Sequence, residues 1–151
     1  MLGAFELIAP LCAALFAGAA LYINVAEHPA RMGLETRIAA LQWAPSYKRA
    51  TWMQVPLALL SFLGGVVAWF MGAGAAWLLA AVLIGAVVPF TLIGIMPTNH
   101  KLLAPGRDFG SVETRMLLER WGKLHAVRTV LSIVATMLYM WLLRGANIGL
   151  Q

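Results

Sequence analysis

Four long apolar segments constrain the fold of this chain more than any other feature of its sequence. They cover about residues 3–26, 52–71, 75–96 and 122–143. A helix needs roughly 20 mostly apolar residues to cross the hydrocarbon core of a bilayer. Charged residues make up 11% of the chain, whereas soluble domains contain about 25%. We therefore predict an all-α, integral membrane four-helix bundle that forms a single domain over residues 1–151.

The connections between the segments predict which ends lie on the same side of the membrane. The segment MGAGA between the second and third helices is long enough only for a tight turn. The connections 27–51 and 97–121 are longer, and every lysine and arginine except Arg144 lies in or beside one of them. Because basic residues concentrate in cytoplasmic loops, we expect both long loops in the cytoplasm and both termini on the outer side. Membrane topology thus accounts for the positive charge, and we expect no nucleic-acid partner.

The first apolar segment could also be read as a secretory signal peptide. It lacks a basic region before the apolar run, and the run exceeds the roughly 7–15 residues of such a signal. We interpret it as a membrane helix. The lipid bilayer is the expected partner of all four helices, and self-association into a homo-oligomer stays open.

The long loops have helical patterns of their own. In the first, Leu34, Ile38 and Leu41 recur at helical spacing between charged residues, which predicts a short amphipathic helix on the membrane surface. Pro45 is expected to end that helix. In the second loop, Ser111 is a potential N-cap, so we expect the fourth helix to begin well before its membrane portion.

Polar residues gather at the loop-side end of all four apolar segments. Asn24 and His28 are four residues apart and share a face of the first helix. The complete set is Asn24, Glu27, His28, Gln54, Asn99, Trp121, His125 and Arg128. Ionisable groups at membrane depth are unfavourable and tend to face a bundle interior or a water-filled cavity. We therefore predict a functional site at this end of the bundle.

The other polar residues nearby have simpler interpretations. Arg31 and the loop lysines are interpreted as charges in the headgroup zone, and Glu27 with Arg31 at i,i+4 spacing as a plain ion pair. Tyr47 is interpreted as an interface anchor. His100, in a loop beside a lysine, is left out of the predicted site.

Four sequence blocks, in order, resemble the anthrone oxygenase-like membrane family, which is also catalogued as a domain of unknown function. The blocks are GAALYINVAEHPAR, WAPSYKRATWMQ, PFTLIGIMPTNHKLL and LLERWGKLHAVRTVL. The resemblance implies a small four-helix membrane protein with an oxygenase role. Characterised fungal members oxidise anthrones to anthraquinones with O2 and without a bound flavin or metal. The positions that match are His28, Pro97, Thr98, Asn99, Trp121, His125 and Arg128.

The resemblance implies roles for these side chains. An anthrone carries an acidic CH2 beside two aromatic rings, so the reaction needs a base and donors for a developing oxyanion. His125 or His28 would be the base, and the other histidine would orient the substrate oxygens with Arg128 and Asn99. Asn24, Glu27, Gln54 and Trp121 are assigned to substrate binding. A flat aromatic substrate is expected to enter from lipid between the first and fourth helices.

Two other functions remain open at the level of sequence. Two histidines in a four-helix bundle can ligate haem, or a metal together with Glu27, although no cofactor and no metal ligand are expected from the resemblance. The protein can also be a non-enzymatic accessory subunit, in which the polar cluster is only a hydrogen-bond network between helices.

Overall fold

The computed structural model describes residues 2–148, with side chains described for 2–145. Over these residues the chain is all-α and contains no strand. Its four long helices are α1 (Leu2–Met32), α2 (Thr36–Ala73), α3 (Ala75–Leu102) and α4 (Val112–Ile148). Each contains a stretch long and apolar enough to cross a membrane, which confirms the predicted four-helix membrane fold. All four helices extend further on the loop side than the apolar segments alone predict.

The predicted interfacial helix is the first part of α2 and not a separate element. Pro45 lies inside this continuous helix, so the expectation that Pro45 ends a short helix is wrong. Ala40 and Trp43 of this part are buried in an apolar cluster that also contains Trp121 of α4, and this packing holds the helix through the proline. Ile38 is exposed; its contact with the membrane surface stays a prediction.

Two π-helical turns shape the loop-side halves of α1 and α3. They span Ile23–Glu27 and Thr91–Ile95, and each ends two residues before a proline, Pro29 or Pro97. A proline lacks the backbone N–H, and its ring clashes with the carbonyl four residues earlier. A wider turn just before the proline relieves this clash, so both helices continue past the point where apolarity predicts their ends.

Small residues let α1 and α2 approach each other closely. A Cβ at Gly64 would lie 3.2 Å from the Cβ of Ala9. The Ser61 hydroxyl donates a hydrogen bond of 2.8 Å to the Ala9 carbonyl. This contact belongs to the apolar cluster at the end of the bundle opposite the long loops. The largest side chains of that cluster include Trp77 and Tyr139. A second cluster, around Trp43 and Trp121, fills the loop-side end.

The helix ends follow ordinary capping chemistry. Gly72 and Gly74 have φ values of 98° and 100°, which glycine adopts most readily, and they form the tight turn between α2 and α3. The Ser111 hydroxyl accepts the backbone N–H of Thr114 at 3.2 Å. This N-cap confirms that α4 starts ahead of its apolar stretch. Arg115 donates to the Leu34 carbonyl at 3.1 Å and so joins α4 to the turn between α1 and α2.

The outer surface of the bundle is apolar. Large apolar side chains are exposed on every helix, for example Leu11, Leu60, Ile93 and Met137. An aqueous protein would not expose so large an apolar area, whereas lipid tails solvate it. The chain is therefore an integral membrane protein. The side on which the loops and termini lie stays a prediction, as does self-association.

Candidate functional site

Polar side chains from three helices meet inside the loop-side half of the bundle. Among the fully or almost fully buried ones are His28 and Arg31 of α1, Gln54 of α2, and His125 and Thr129 of α4. Burial of this many polar groups is unfavourable unless they are hydrogen-bonded. Most of them are hydrogen-bonded, either in a group of contacts centred on Asn24 or in a second group centred on Arg31.

Asn24 connects α1 to α4 through three hydrogen bonds. Its Nδ2 donates to the Gly122 carbonyl at 3.1 Å. Its Oδ1 accepts the Thr129 hydroxyl at 2.6 Å and lies 2.7 Å from Nδ1 of His125. The polar face predicted from Asn24 and His28 therefore does point into the bundle.

These contacts assign the proton on the His125 ring. The Gly122 carbonyl can only accept, so the Asn24 amide must turn its NH2 group toward Gly122. Its Oδ1 then faces His125 and can also only accept, so Nδ1 of His125 carries the hydrogen. In the neutral ring the lone pair is consequently on Nε2, the nitrogen that can act as a base.

His28 has the opposite arrangement. Its ring packs so closely on α4 that a Cβ at Gly122 would overlap Nε2. Its Nδ1 lies 3.4 Å from a guanidinium nitrogen of Arg31. A guanidinium only donates, so the lone pair on Nδ1 of His28 is directed at Arg31. His125 is therefore the better placed of the two predicted bases.

Trp121 contacts both histidines. Its ring centroid is 4.9 Å from that of His125, stacked at 30°, and 5.3 Å from that of His28. Trp43 meets it edge-on at 5.9 Å. The interior cavity that His125 lines measures about 10 Å³ and does not include His28 in its lining, so the described residues leave no space for a haem held by both histidines. Among the described residues, no group of three His, Cys, Asp or Glu side chains could hold a metal ion.

Arg31 is the centre of the second group of contacts. It is 3% exposed, forms an ion pair with Glu27, and donates hydrogen bonds to Gln42 and to Ser46. The predicted ion pair with Glu27 is confirmed, but the interpretation of Arg31 as a headgroup charge is wrong. Its spacing, three residues after His28 and four after Glu27, is the signal that would have identified it.

Arg128 and Gln54 form a buried polar pair between α4 and α2. Arg128 Nη2 donates a hydrogen bond to Oε1 of Gln54 at 3.0 Å, and the Arg128 guanidinium lies 5.4 Å from the centroid of the Phe16 ring. The Nε of Arg128 and the Nε2 of Gln54 are buried with no partner among the described residues. Each of these two side chains therefore keeps one donor without a partner.

These groups surround a small interior cavity. Its lining includes Arg31, Tyr47, Gln54, Trp121, His125 and Arg128. Its volume of about 10 Å³ is close to the minimum that holds one water molecule. Two larger spaces flank it. The α2–α3 pocket, of about 110 Å³, shares Tyr47, Gln54 and Arg128 with the interior cavity. The α1–α2 groove, of about 570 Å³, has Glu27 and Ser46 on its wall.

Two predicted assignments differ from what the structure places at these spaces. Asn99 is fully buried, and neither of its amide atoms has a partner among the described residues. It does not line the interior cavity or the two flanking spaces, so its predicted role beside Arg128 stays a prediction. Tyr47, interpreted as an interface anchor, lines both the interior cavity and the α2–α3 pocket. His100 is exposed, in line with its omission.

Comparisons with known proteins identify related chains. Residues 43–138 match the family described as "Anthrone oxygenase". "Anthrone oxygenase ptaC" of Pestalotiopsis fici is 30% identical over 125 residues, which cover 70% of this chain and 85% of the relative. "Anthrone oxygenase tpcL" of Aspergillus fumigatus is 36% identical over 70 residues, and the match spans 44% of each chain. No solved structure matches this chain.

Proposed function

This chain belongs to the anthrone oxygenase family, and from that premise we propose that it is a membrane oxygenase acting on a flat aromatic substrate with O2. His125 is the proposed base. The observation that carries this assignment is the hydrogen bond between His125 and Asn24, because it puts the lone pair on Nε2 of a histidine that lines the interior cavity. The long loops, and with them the site, are proposed to face the cytoplasm.

The reaction needs no redox group in the protein. Nε2 of His125 takes one proton from the CH2 of an anthrone-like substrate and leaves an extended, phenolate-like anion. The anion gives its electron pair to O2, a C–O bond forms, and the returned proton completes a hydroperoxide. Loss of water from the hydroperoxide then leaves a carbonyl at the former CH2. One CH2 and one O2 become one C=O and one H2O, so atoms and electrons balance.

Arg128 and Gln54 stabilise the charge that develops in the first step. As the proton leaves, negative charge moves to the substrate oxygen, and preorganised donors in a water-poor site stabilise such an oxyanion strongly. Arg128 Nε and Gln54 Nε2, which have no partner among the described residues, are the proposed donors. A substrate held beside them reaches His125 directly or through one water molecule.

His28, Arg31 and Trp121 are proposed as positioning residues. Trp121 stacks on His125 and is supported from behind by His28, which in turn lies against the Arg31 guanidinium. This arrangement limits the rotation of the His125 ring. Glu27 holds Arg31 and is assigned here to the support of the site, one step removed from substrate.

A second candidate function is that of a non-enzymatic accessory subunit. The hydrogen bonds that Asn24 makes to Gly122, His125 and Thr129 favour it, because they connect α1 and α4 and would serve a purely structural network equally well. The two functions differ in what happens when His125 is replaced.

Oxygen uptake by the detergent-purified protein with anthrone, followed with the absorbance of the anthraquinone product, tests the proposal. We expect turnover that falls about 10²-fold or more in His125→Ala, as is usual when a general base is removed. His100→Ala, at an exposed histidine, is the matched control and should keep full activity. Equal activity in His125→Ala and the parent protein would remove His125 as the base. No turnover in the parent protein, with folding lost in His125→Ala, would favour the accessory subunit.

A further inference from the structure

The α2–α3 pocket has apolar walls and opens toward the lipid. Its walls include Phe16 of α1, Val55 and Ala58 of α2, and Val88 and Leu92 of α3. Val55 and Leu92 are 42% and 57% exposed on the outer surface of the bundle. Because both residues also line the pocket, its mouth lies between them, on a surface that contacts lipid tails.

The inner end of the same pocket is polar. Tyr47, Thr51, Gln54 and Arg128 line it, and Arg128 and Gln54 each have a buried donor, Nε and Nε2, without a partner among the described residues. Unsatisfied buried donors are unfavourable, and more so when the group is charged. A ligand that presents an oxygen acceptor to both would satisfy them. The pocket therefore combines an apolar entrance with a site for one oxygen atom.

We propose that the α2–α3 pocket is where the substrate enters from the bilayer and binds, with one oxygen-bearing aromatic ring inserted toward Arg128 and Gln54. This inference rests on the proposed function and specifies its substrate class, a lipid-soluble phenol, anthrone or aryl ketone. Pockets that enclose a drug-sized ligand measure about 300–1,000 Å³, and this one measures about 110 Å³. Only the oxygen-bearing end of the substrate is thus enclosed, and the rest stays in lipid between α2 and α3.

The interface between α1 and α4, where the sequence suggested entry, is closed at this level. Asn24 of α1 hydrogen-bonds to Gly122, His125 and Thr129 of α4, and His28 packs on the backbone of Gly122. A flat molecule could pass there only by breaking these contacts. The expected entrance between α1 and α4 is therefore corrected to one between α2 and α3.

The α1–α2 groove is larger, but the proposed base His125 does not line it. Its charged residues are Glu27, which is paired with Arg31, and Arg49. Arg128 and Gln54 do not line this groove. A substrate bound there would be separated from both free donors.

Each of the two spaces contains one methionine, which allows a direct test by photolabelling. Met96 lines the α2–α3 pocket and Met53 lines the α1–α2 groove. Benzophenone is a lipid-soluble aryl ketone with one oxygen acceptor, and on irradiation it inserts into nearby C–H bonds. The protein in lipid nanodiscs is irradiated with benzophenone, and adducts are mapped by mass spectrometry.

We expect adducts on Met96 in excess over Met53. Val55→Trp, which fills the mouth of the α2–α3 pocket, should reduce the Met96 adduct about tenfold, equivalent to about 1.4 kcal/mol of binding. Leu60→Trp is the matched control, because Leu60 is exposed on the same helix and does not line the pocket; it should leave labelling unchanged. Leu92→Trp closes the mouth from α3 and replaces Val55→Trp if that variant does not fold.

Adducts concentrated on Met53, or Met96 labelling that neither tryptophan at the mouth reduces, would overturn the inference. The labelling does not depend on turnover. Labelling of Met96 without any oxygen uptake would therefore reject the proposed oxygenase function and support the α2–α3 pocket as a binding site. Turnover with labelling elsewhere would support the oxygenase function and reject the pocket.

Discussion

The Asn24 amide accepts a hydrogen bond from His125 on α4 while its other end donates to the Gly122 carbonyl one turn earlier on the same helix. One uncharged side chain thus holds two helices together and sets the tautomer of the proposed base. This double role separates Asn24 from Asn99, whose buried amide has no partner among the described residues.

The first prediction compares these two asparagines. Asn24→Leu leaves Gly122 and His125 without their partners, and we expect a loss of about 1–3 kcal/mol in the free energy of unfolding. Asn99→Leu removes no described hydrogen bond and should be close to neutral. Thermal unfolding in detergent measures both. A larger loss of stability for Asn99→Leu than for Asn24→Leu would contradict this prediction, because the Asn99 amide would then make the more stabilising contacts.

A second prediction concerns the close contact of His28 with α4. Gly122→Ala places a Cβ where His28 Nε2 lies, so the ring and Trp121 behind it must move. Overpacking of this kind is unfavourable by about 1–3 kcal/mol, and we expect a lower melting temperature together with lower turnover. Gly18→Ala is the control, because a Cβ there meets nothing within 4 Å and alanine favours the helix. Equal stability of the two variants would contradict the contact.

The third prediction tests the buried charge of Arg31. Arg31→Leu leaves the Glu27 carboxylate without its ion pair, and breaking a buried pair by removing one partner destabilises by about 3–5 kcal/mol. The second change Glu27→Gln in the same chain should restore much of that loss, since it removes the unpaired charge. Arg49→Leu, at an exposed arginine, should have little effect. Denaturant or thermal unfolding of Arg31→Leu, Glu27→Gln, the double variant and Arg49→Leu measures the coupling, and additive effects of the two single changes would refute it.

Arg128→Lys gives the fourth prediction. A lysine keeps the positive charge but has no equivalent of the Nε donor beside Gln54, and its ammonium is a point charge instead of a planar fork. We expect turnover of anthrone to fall about 10²-fold, the effect of losing one oxyanion donor, with little change in KM. Arg120→Lys, at an exposed position on the same helix, is the control. Full activity in Arg128→Lys would mean that only the charge matters.

The sequence predicts the helices well because apolarity over about 20 residues is a strong local signal. It places their loop-side ends poorly, because Trp43 and Ala40 stabilise the start of α2 through contacts with α4 that no local pattern encodes. It also groups Asn24, His28, His125 and Trp121 correctly, since helical spacing and depth are both readable from the chain.

Arg31 and Tyr47 show why the rest of the site could not be predicted. A charge near a helix end is usually a solvated one, and only the three-dimensional arrangement reveals that Glu27, Ser46 and His28 surround Arg31. Tyr47 looks like an interface tyrosine until α2 is found to continue through Pro45, which turns its ring toward Arg128. Asn99 is buried at the expected depth but lines none of the three spaces, and its role toward a substrate stays a prediction.

The two π-helical turns make the site sensitive to the length of the chain. Such a turn contains one residue more than the α-helical path between the same points, and one residue corresponds to about 100° of rotation around a helix axis. Deleting Val25 from α1 would shift the phase of everything before it relative to His28 and Arg31. If His28 kept its contact with α4, Asn24 and the apolar core face that precedes it on α1 would then point away from α4. In a chain of this family, a single-codon insertion or deletion at these two places would therefore redirect a whole half-helix without altering any side chain of the site itself.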